Sequence, residues 1–284
     1  NIYNGGTPTD LSLLATPPID WYRNGDNGAY KSPQWLIPNN ENKDKVSNYS
    51  FDFDGIDDEI PIRTISQTVG TGNITYSSWI RTSKAGVYQT YQCAFGGYSN
   101  GGATYTINKL GTPFGTTDLV LWFGSSSIVL NDGNWHNIIT TFDVTTKQQL
   151  SYVDGVLDRT YTAPSWITHF GICIGAGQAG QYHFEGDVSD CAVFNRVLTQ
   201  LEATSIYNSG TPNDITPLTP SGYWRISDNS TFSTNWTIPD EAGSFDGTSA
   251  NMTIEDRVGE APNSENNALS FNMDEVDRVE DVPS

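Results

Sequence analysis

The stretch Glu185-Gly186-Asp187-Val188-Ser189-Asp190 gathers three carboxylates within six positions. Carboxylates so spaced support two kinds of chemistry. A pair held ~5 Å apart can cleave a glycosidic bond, one acid attacking the sugar while the other protonates the leaving group. Several together supply the oxygen ligands that calcium takes. A second acidic group, Asp54, Asp57 and Asp58, surrounds the turn dipeptide Asp54-Gly55 within the alternating run 50–62. For both groups the plain alternative is a solvated strand end or turn, where most acids reside.

The elements that would position these acids are legible around them. Phe184, Val188, Ala192 and Phe194 recur on one parity of a two-residue alternation, which predicts a strand with room for a bulge near Gly186. Thr199 and Glu202 then form a capping box, each able to satisfy the other's orphan backbone donor at a helix start. Asn208-Ser209-Gly210 supplies the stop. Upstream, 74–80, 88–95, 104–107, 119–123 and 135–142 are short runs rich in aromatic and β-branched residues, separated by Gly, Ser and Asn. Asp132-Gly133 and Asp154-Gly155 are hairpin-turn dipeptides. Short strands at regular spacing with one late helix argue for an all-β fold, a two-sheet antiparallel jelly-roll sandwich with one short late helix, over an α/β fold.

Composition removes several functions. The 284 residues include 14 Lys plus Arg against 33 Asp plus Glu, a net charge of -19 that repels phosphate backbones and anionic membranes. No nucleic-acid partner is expected. No apolar run approaches the ~20 residues of a membrane helix, so no membrane insertion is expected either. Cys93, Cys173 and Cys191 are odd in number and lack metal-ligand spacing, so at most one internal disulfide is possible, and Cys173 and Cys191, in apolar strand-like runs, read as core residues. His136, His169 and His183 have no nucleophile in a triad setting, and no glycine-rich loop opens a helix for a nucleotide. The chain opens at Asn1-Ile2-Tyr3 without a signal-peptide pattern and reads as processed or partial.

Four segments, 49–62 (YSFDFDGIDDEIPI), 134–142 (NWHNIITTF), 150–157 (LSYVDGVL) and 184–201 (FEGDVSDCAVFNRVLTQL), resemble in this order the laminin G-like group of the concanavalin A-like jelly rolls, which includes pentraxin-like modules. The resemblance spans about Trp21–Asn208. It implies that the first and last strands lie side by side, bringing Asp54, Asp57 and Asp58 towards Asp187 and Asp190 as a calcium set. Tyr88, Tyr91, Tyr98 and Tyr105, in a Gly- and Ser-rich region, become candidates for stacking on sugar rings. Glu185, Asp187 and Asp190 resemble the E-x-D-x-x-E pattern of retaining β-glucanases of this fold, but Asp190 stands where the last Glu belongs and reaches one methylene less. The expectation is therefore a non-enzyme.

A self-comparison finds an internal repeat. Ile2-Tyr3-Asn4, Gly6-Thr7-Pro8 and Asp10 recur as Ile206-Tyr207-Asn208, Gly210-Thr211-Pro212 and Asp214. Trp21-Tyr22-Arg23 recurs as Tyr223-Trp224-Arg225, and Trp35 with Ile37-Pro38 as Trp236 with Ile238-Pro239. The chain divides accordingly: 1–20 as linker or end of a preceding module, 21–208 as the jelly roll, and 209–284 as the opening strands of an incomplete second module or a C-terminal tail. The repeated flanks resemble those of jelly-roll modules in structural proteins of marine tailed bacteriophages. The reading is a structural or adhesion module of a virion or extracellular appendage that binds a surface glycan. Exposed strands of the second module predict a homo-oligomer or other assembly subunits as partners. The alternative is a secreted carbohydrate-active protein, a lectin-like binder or a weak β-glucanase using Glu185, Asp187 and Asp190.

Overall fold

The computed structural model describes residues 3–4, 7–8, 29–31, 34–36, 49–62, 72–85, 91–98, 110–111, 120–121, 128–162, 171–177, 182–226, 229–259 and 261–262. Two short hairpins come first, β1 (Tyr3–Asn4) with β2 (Thr7–Pro8) and β3 (Ala29–Lys31) with β4 (Gln34–Leu36). The sandwich then runs through β5 (Ser50–Asp54), β6 (Ile60–Pro61), β7 (Ile74–Arg81), β8 (Tyr91–Gln92), β9 (Phe95–Tyr98), β10 (Leu110–Gly111) and β11 (Val120–Leu121). A meander of β12 (Trp135–Phe142), β13 (Gln148–Val153) and β14 (Val156–Thr162) precedes β15 (Gly171–Ile174), β16 (Glu185–Phe194) and the helix α1 (Gln200–Tyr207). Then follow β17 (Gly222–Trp224), β18 (Thr231–Phe232), β19 (Trp236–Ile238), β20 (Gly247–Thr248) and β21 (Arg257–Val258).

The main sheet has the order β14-β13-β12-β7-β16-β5-β21, with β17 also pairing with β16. Facing it are the small sheets β6-β15-β9 and β8-β10-β11, while β18-β19-β20 form a further sheet. Alternation sorts the side chains. Phe51, Phe53, Ile74, Tyr76, Ile80, Ile138 and Phe142 point to one side and bury against Phe95, Ile172 and Ile174 of the facing layer. The intervening residues form the sheet's outer face. The all-β sandwich expected from the sequence is the observed fold.

β16 lies at the centre, with β7 along one side and two strands along the other: β5 beside Glu185–Val188 and β17 beside Cys191–Val193. The bulge expected near Gly186 sits at Asp190 instead, where the register against β7 shifts between Ser189 and Ala192. Gly186 serves a different purpose. At φ 137° it passes so close to β7 that a Cβ would lie 2.4 Å from the Arg81 carbonyl oxygen. The extra residue reverses the parity of the strand. Val188, Cys191 and Val193 all enter the sandwich core, whereas Ala192 and Phe194 turn to the outer face.

There they meet α1. Its capping box is formed as expected, with Thr199 Oγ1 accepting from Glu202 N and Glu202 Oε2 accepting from Thr199 N at 2.8 Å. Asn208 ends the helix in the left-handed conformation. Ala203 and Ile206 pack with Leu198, Ile139, Phe194 and Tyr223 to close a second apolar layer over the sheet. Among the described residues no helix is long and apolar enough to cross a membrane. All three cysteines are buried, and none is in a disulfide.

The described part of the segment expected to open a second module packs on the first. Tyr223 and Trp224 are buried beside β16, and Arg257–Val258 pairs with β5. Two strands of that segment, β17 and β21, thus find partners within the chain. Trp224, Ile226, Trp236, Ile238 and Met252 join the sandwich core. The Trp236 ring lies 4.9 Å from that of Phe51, and its Nε1 donates to the Thr253 carbonyl at 2.6 Å. Trp236→Ala is therefore expected to cost about 3–5 kcal/mol, the range for emptying a large core site. Urea unfolding should show this loss in the single transition of the whole sandwich; a separate, earlier transition for the C-terminal segment would contradict the shared core.

Candidate functional site

The first half of β16 carries its acids to the outer face. Glu185 stands opposite Asp54 and Asp187 opposite Asp52 on β5, while Asp187 is also level with Arg81 at the end of β7. Arg81 Nε donates to Asp187 Oδ2 at 2.9 Å, and Lys84 Nζ lies 2.6 Å from Glu185 Oε2. These side chains line a groove of about 390 Å³ with Asp52, Thr82 and Gly133. The Arg81 guanidinium also sits 5.3 Å above the ring of half-buried Trp135. The groove is thus polar, with each of two acids already met by a cation and an indole at its side.

Asp190 is not in this groove. The bulge puts it at φ 46° and 5% exposed, where Ser189 Oγ donates to Oδ2 at 2.8 Å and Tyr223 OH donates to Oδ1 at 3.3 Å. Burial, and next the charge of Asp190, push the Tyr223 phenol well above its usual range. The E-x-D-x-x-D pattern therefore does not present three acids to one substrate. Two face solvent against cations, and the third is a buried acceptor under the C-terminal segment.

Of the five acids considered for calcium, the structure brings together Asp54, Asp57 and Asp58, whose nearest carboxylate oxygens lie within 4.8 Å of one another. Asp54 Oδ1 accepts from the backbone of Ile56 (2.7 Å) and Asp57 (3.2 Å), and Asp58 Oδ2 accepts from Asp54 N at 3.0 Å. Asp58 is 5% exposed, and its carboxyl is pushed up to about 6 by burial, despite the Asp54 backbone bond, with the charges of Asp54, Asp256 and Asp57 adding to the shift. Asp256 is raised too, by burial first and with a contribution from Asp54. The carboxylates are thus gathered by backbone hydrogen bonds, with the charges of their neighbours adding to what burial does at Asp58. Asp187 and Asp190 do not join this cluster, being committed to Arg81 and Tyr223.

Of the tyrosines, Tyr91 is half-buried and meets the Tyr182 ring edge-on at 5.9 Å. Tyr98 lies in β9, paired opposite Gly171. Tyr88 and Tyr105 fall outside the described residues. The sequence reading missed Asp52, Arg81, Lys84 and Trp135 as partners of the acids, because only strand register brings them alongside β16. It also missed His136, which stands between two carboxylates of the Asp-Gly turns: Nδ1 is 2.8 Å from Asp154 Oδ2 and Nε2 is 3.2 Å from Asp132 Oδ1.

The family model described as the concanavalin A-like lectin/glucanases superfamily matches residues 54–204, from the acidic turn to the middle of α1. The chain belongs to this superfamily. Among solved structures, a Bacteroides ovatus protein assigned to carbohydrate binding is similar at 18% identity and TM-score 0.53, over 76% of this chain and 61% of that one. A heptameric SAP-like pentraxin of Limulus polyphemus aligns at 15% identity and TM-score 0.43, over 72% of this chain and 96% of its own. The Trypanosoma rangeli sialidase aligns at 14% and 0.41, over 57% of this chain and 28% of its own. At 18% identity the likeness to the Bacteroides protein speaks to the fold alone. No curated protein sequence matches.

The division between groove acids and the buried acid is open to test. Tyr223→Phe removes one donor from Asp190 and is expected to cost about 1.5–3 kcal/mol, the range for a hydrogen bond to a charged group. Denaturant titration reads the loss. Chemical shifts of Arg81 and Thr82 should stay in place, whereas their displacement would show that Asp190 belongs to the groove.

Proposed function

We propose that this protein is a non-enzymatic glycan-binding module, with the groove between β5, β7 and β16 as its sugar site. The observation that carries the reading is the lining itself, in which the acids Asp52, Glu185 and Asp187 stand with the cations Arg81 and Lys84, and Arg81 lies over Trp135. Carboxylates accept from sugar hydroxyls, guanidinium and ammonium groups donate to them, and an indole offers an apolar face to a pyranose ring. The concanavalin A-like fold and the carbohydrate-binding assignment of the similar Bacteroides protein support the same class of ligand. The acids that resemble a glucanase set support binding more than turnover. Asp187 is held by Arg81, and the third acid is buried against Tyr223 rather than ~5 Å across a scissile bond. The flanking phrases, Ile206-Tyr207-Asn208 among them, support a setting in adhesion on a virion or extracellular appendage.

Calcium belongs to the same proposal. Asp54, Asp57 and Asp58 would hold the ion one cross-strand pair away from Glu185, so that loop and groove form one end of the molecule. The ion would supply charge balance for the three acids, and the chain's own work there is the backbone bonding that keeps their oxygens together.

A glycan array followed by calorimetry tests the sugar site. Lys84→Ala and Glu185→Gln are expected to weaken the best glycan by at least about tenfold, a loss of ~1.4 kcal/mol, with little change in melting temperature. Reducing-sugar release from β-glucans that Glu185→Gln abolishes would overturn the non-enzymatic reading. For the ion, calcium titrated into chelator-treated protein should release or absorb heat and raise the melting temperature, and Asp57→Asn should weaken both effects. No heat at millimolar calcium would remove the ion from the proposal.

A further inference from the structure

We propose that His136 is a proton-operated clamp, fixing the turn at 131–134 that walls the groove to the turn at 154–155 beneath α1 only while both ring nitrogens carry protons. The geometry demands it. A neutral imidazole has one N–H and one lone pair, yet here each nitrogen faces a carboxylate oxygen, Asp154 Oδ2 at 2.8 Å and Asp132 Oδ1 at 3.2 Å. A lone pair aimed at a carboxylate is repulsive, and His136 is 8% exposed, so little water intervenes. The carboxylates themselves are anchored. Asp154 Oδ1 accepts from Asn137 N at 2.9 Å, and Asp132 accepts from the backbone and side-chain nitrogens of Asn134 at 2.8 and 3.0 Å. The imidazole is the piece that links two otherwise self-contained turns.

Each turn is wired to something larger. Gly133 N donates to Thr82 O at 3.0 Å and Asn131 Nδ2 to Lys84 O at 3.1 Å, which ties the first turn across to the other wall of the groove. Gly155 O accepts from Gln200 Nε2 at 2.5 Å and Thr204 Oγ1 at 3.0 Å, which ties the second turn to α1. Among the described residues the charged groups bearing on His136 are Asp154 from the hairpin and Asp132 from its own turn; Asp154 also faces Tyr207 of α1, and Arg81 of β7 lies over the neighbouring Trp135 ring. Burial works against the imidazolium, but the hydrogen bonds and charges of Asp154 and Asp132 raise it above its ordinary 6.5. A group raised on folding stabilises fully below its unfolded value and ceases to do so as pH climbs through the folded one. On proton loss the remaining N–H stays with the shorter partner, Asp154, and the Asp132 turn is released. Mildly acidic solution therefore couples the groove wall to the turn beneath α1, and alkaline solution uncouples it, the wall keeping its bonds to Thr82 and Lys84.

The test is an imidazole ¹⁵N and backbone-amide titration of the full chain across the range of the His136 transition, with no sugar present, so its outcome is separate from that of the glycan reading. His136 should be doubly protonated at pH 6 and titrate above 6.5. The Gly133 amide should move with the same midpoint and more than that of Gly155, and Asp132→Asn should lower the midpoint and flatten the Gly133 response. A neutral His136 tautomer at pH 6, or a Gly133 amide that ignores the transition, would overturn the clamp. The wild-type titration decides the matter even where Asp132→Asn fails to fold.

Discussion

The single extra residue in β16 organises this molecule. A strand with one neighbour can drift, but β16 is hydrogen-bonded to β7 along its length and to β5 and β17 in succession on its other side, so its side-chain parity is fixed at every position. Inserting Asp190 switches that parity halfway. Before the bulge the outward residues are Glu185 and Asp187, which open the groove; after it they are Ala192 and Phe194, which seat α1. One face of one sheet is thus a polar groove at one end and a second core at the other. The acid at the switch is withdrawn from both uses and spends its charge on Ser189 and Tyr223.

Electrostatics in this chain is local bookkeeping against a strongly negative whole. With -19 overall, cations are scarce, and Arg81 and Lys84 are placed where two acids face solvent side by side. Where acids are instead drawn into the interior, as at Asp58 and Asp256, burial raises their carboxyls above the usual range. His136 is a third solution, a cation made only when two aspartates surround it. The same composition thus makes every positive group in the fold informative about what lies next to it.

Much of the architecture was legible. Trp135–Phe142, the hairpin at Asp154-Gly155, and the Thr199–Glu202 capping box depend on spacing within a few residues, and local rules read them correctly. The acidic stretch was found for the same reason. What escaped was everything decided by register between distant strands. Nothing near Asp187 in the sequence names Arg81, and nothing near His136 distinguishes a core histidine from one held by Asp132 and Asp154. The bulge position was misplaced because glycine is the usual local sign of an irregular strand. Here Gly186 answers a close approach to Arg81, and the irregularity falls on an aspartate held by a tyrosine far along the chain.

The repeated phrase gains a different meaning from where its second copy lies. Tyr223-Trp224, counterpart of Trp21-Tyr22, does not begin a fresh core but completes β16 of the module before it, and Trp236 fills the space behind Phe51. The unit that recurs in the text and the unit that folds are out of phase, like overlapping roof tiles. Evolution or an engineer exchanging pieces at the Ile-Tyr-Asn phrase would cut through a packed interior, and viable recombinants must carry the overlap with them.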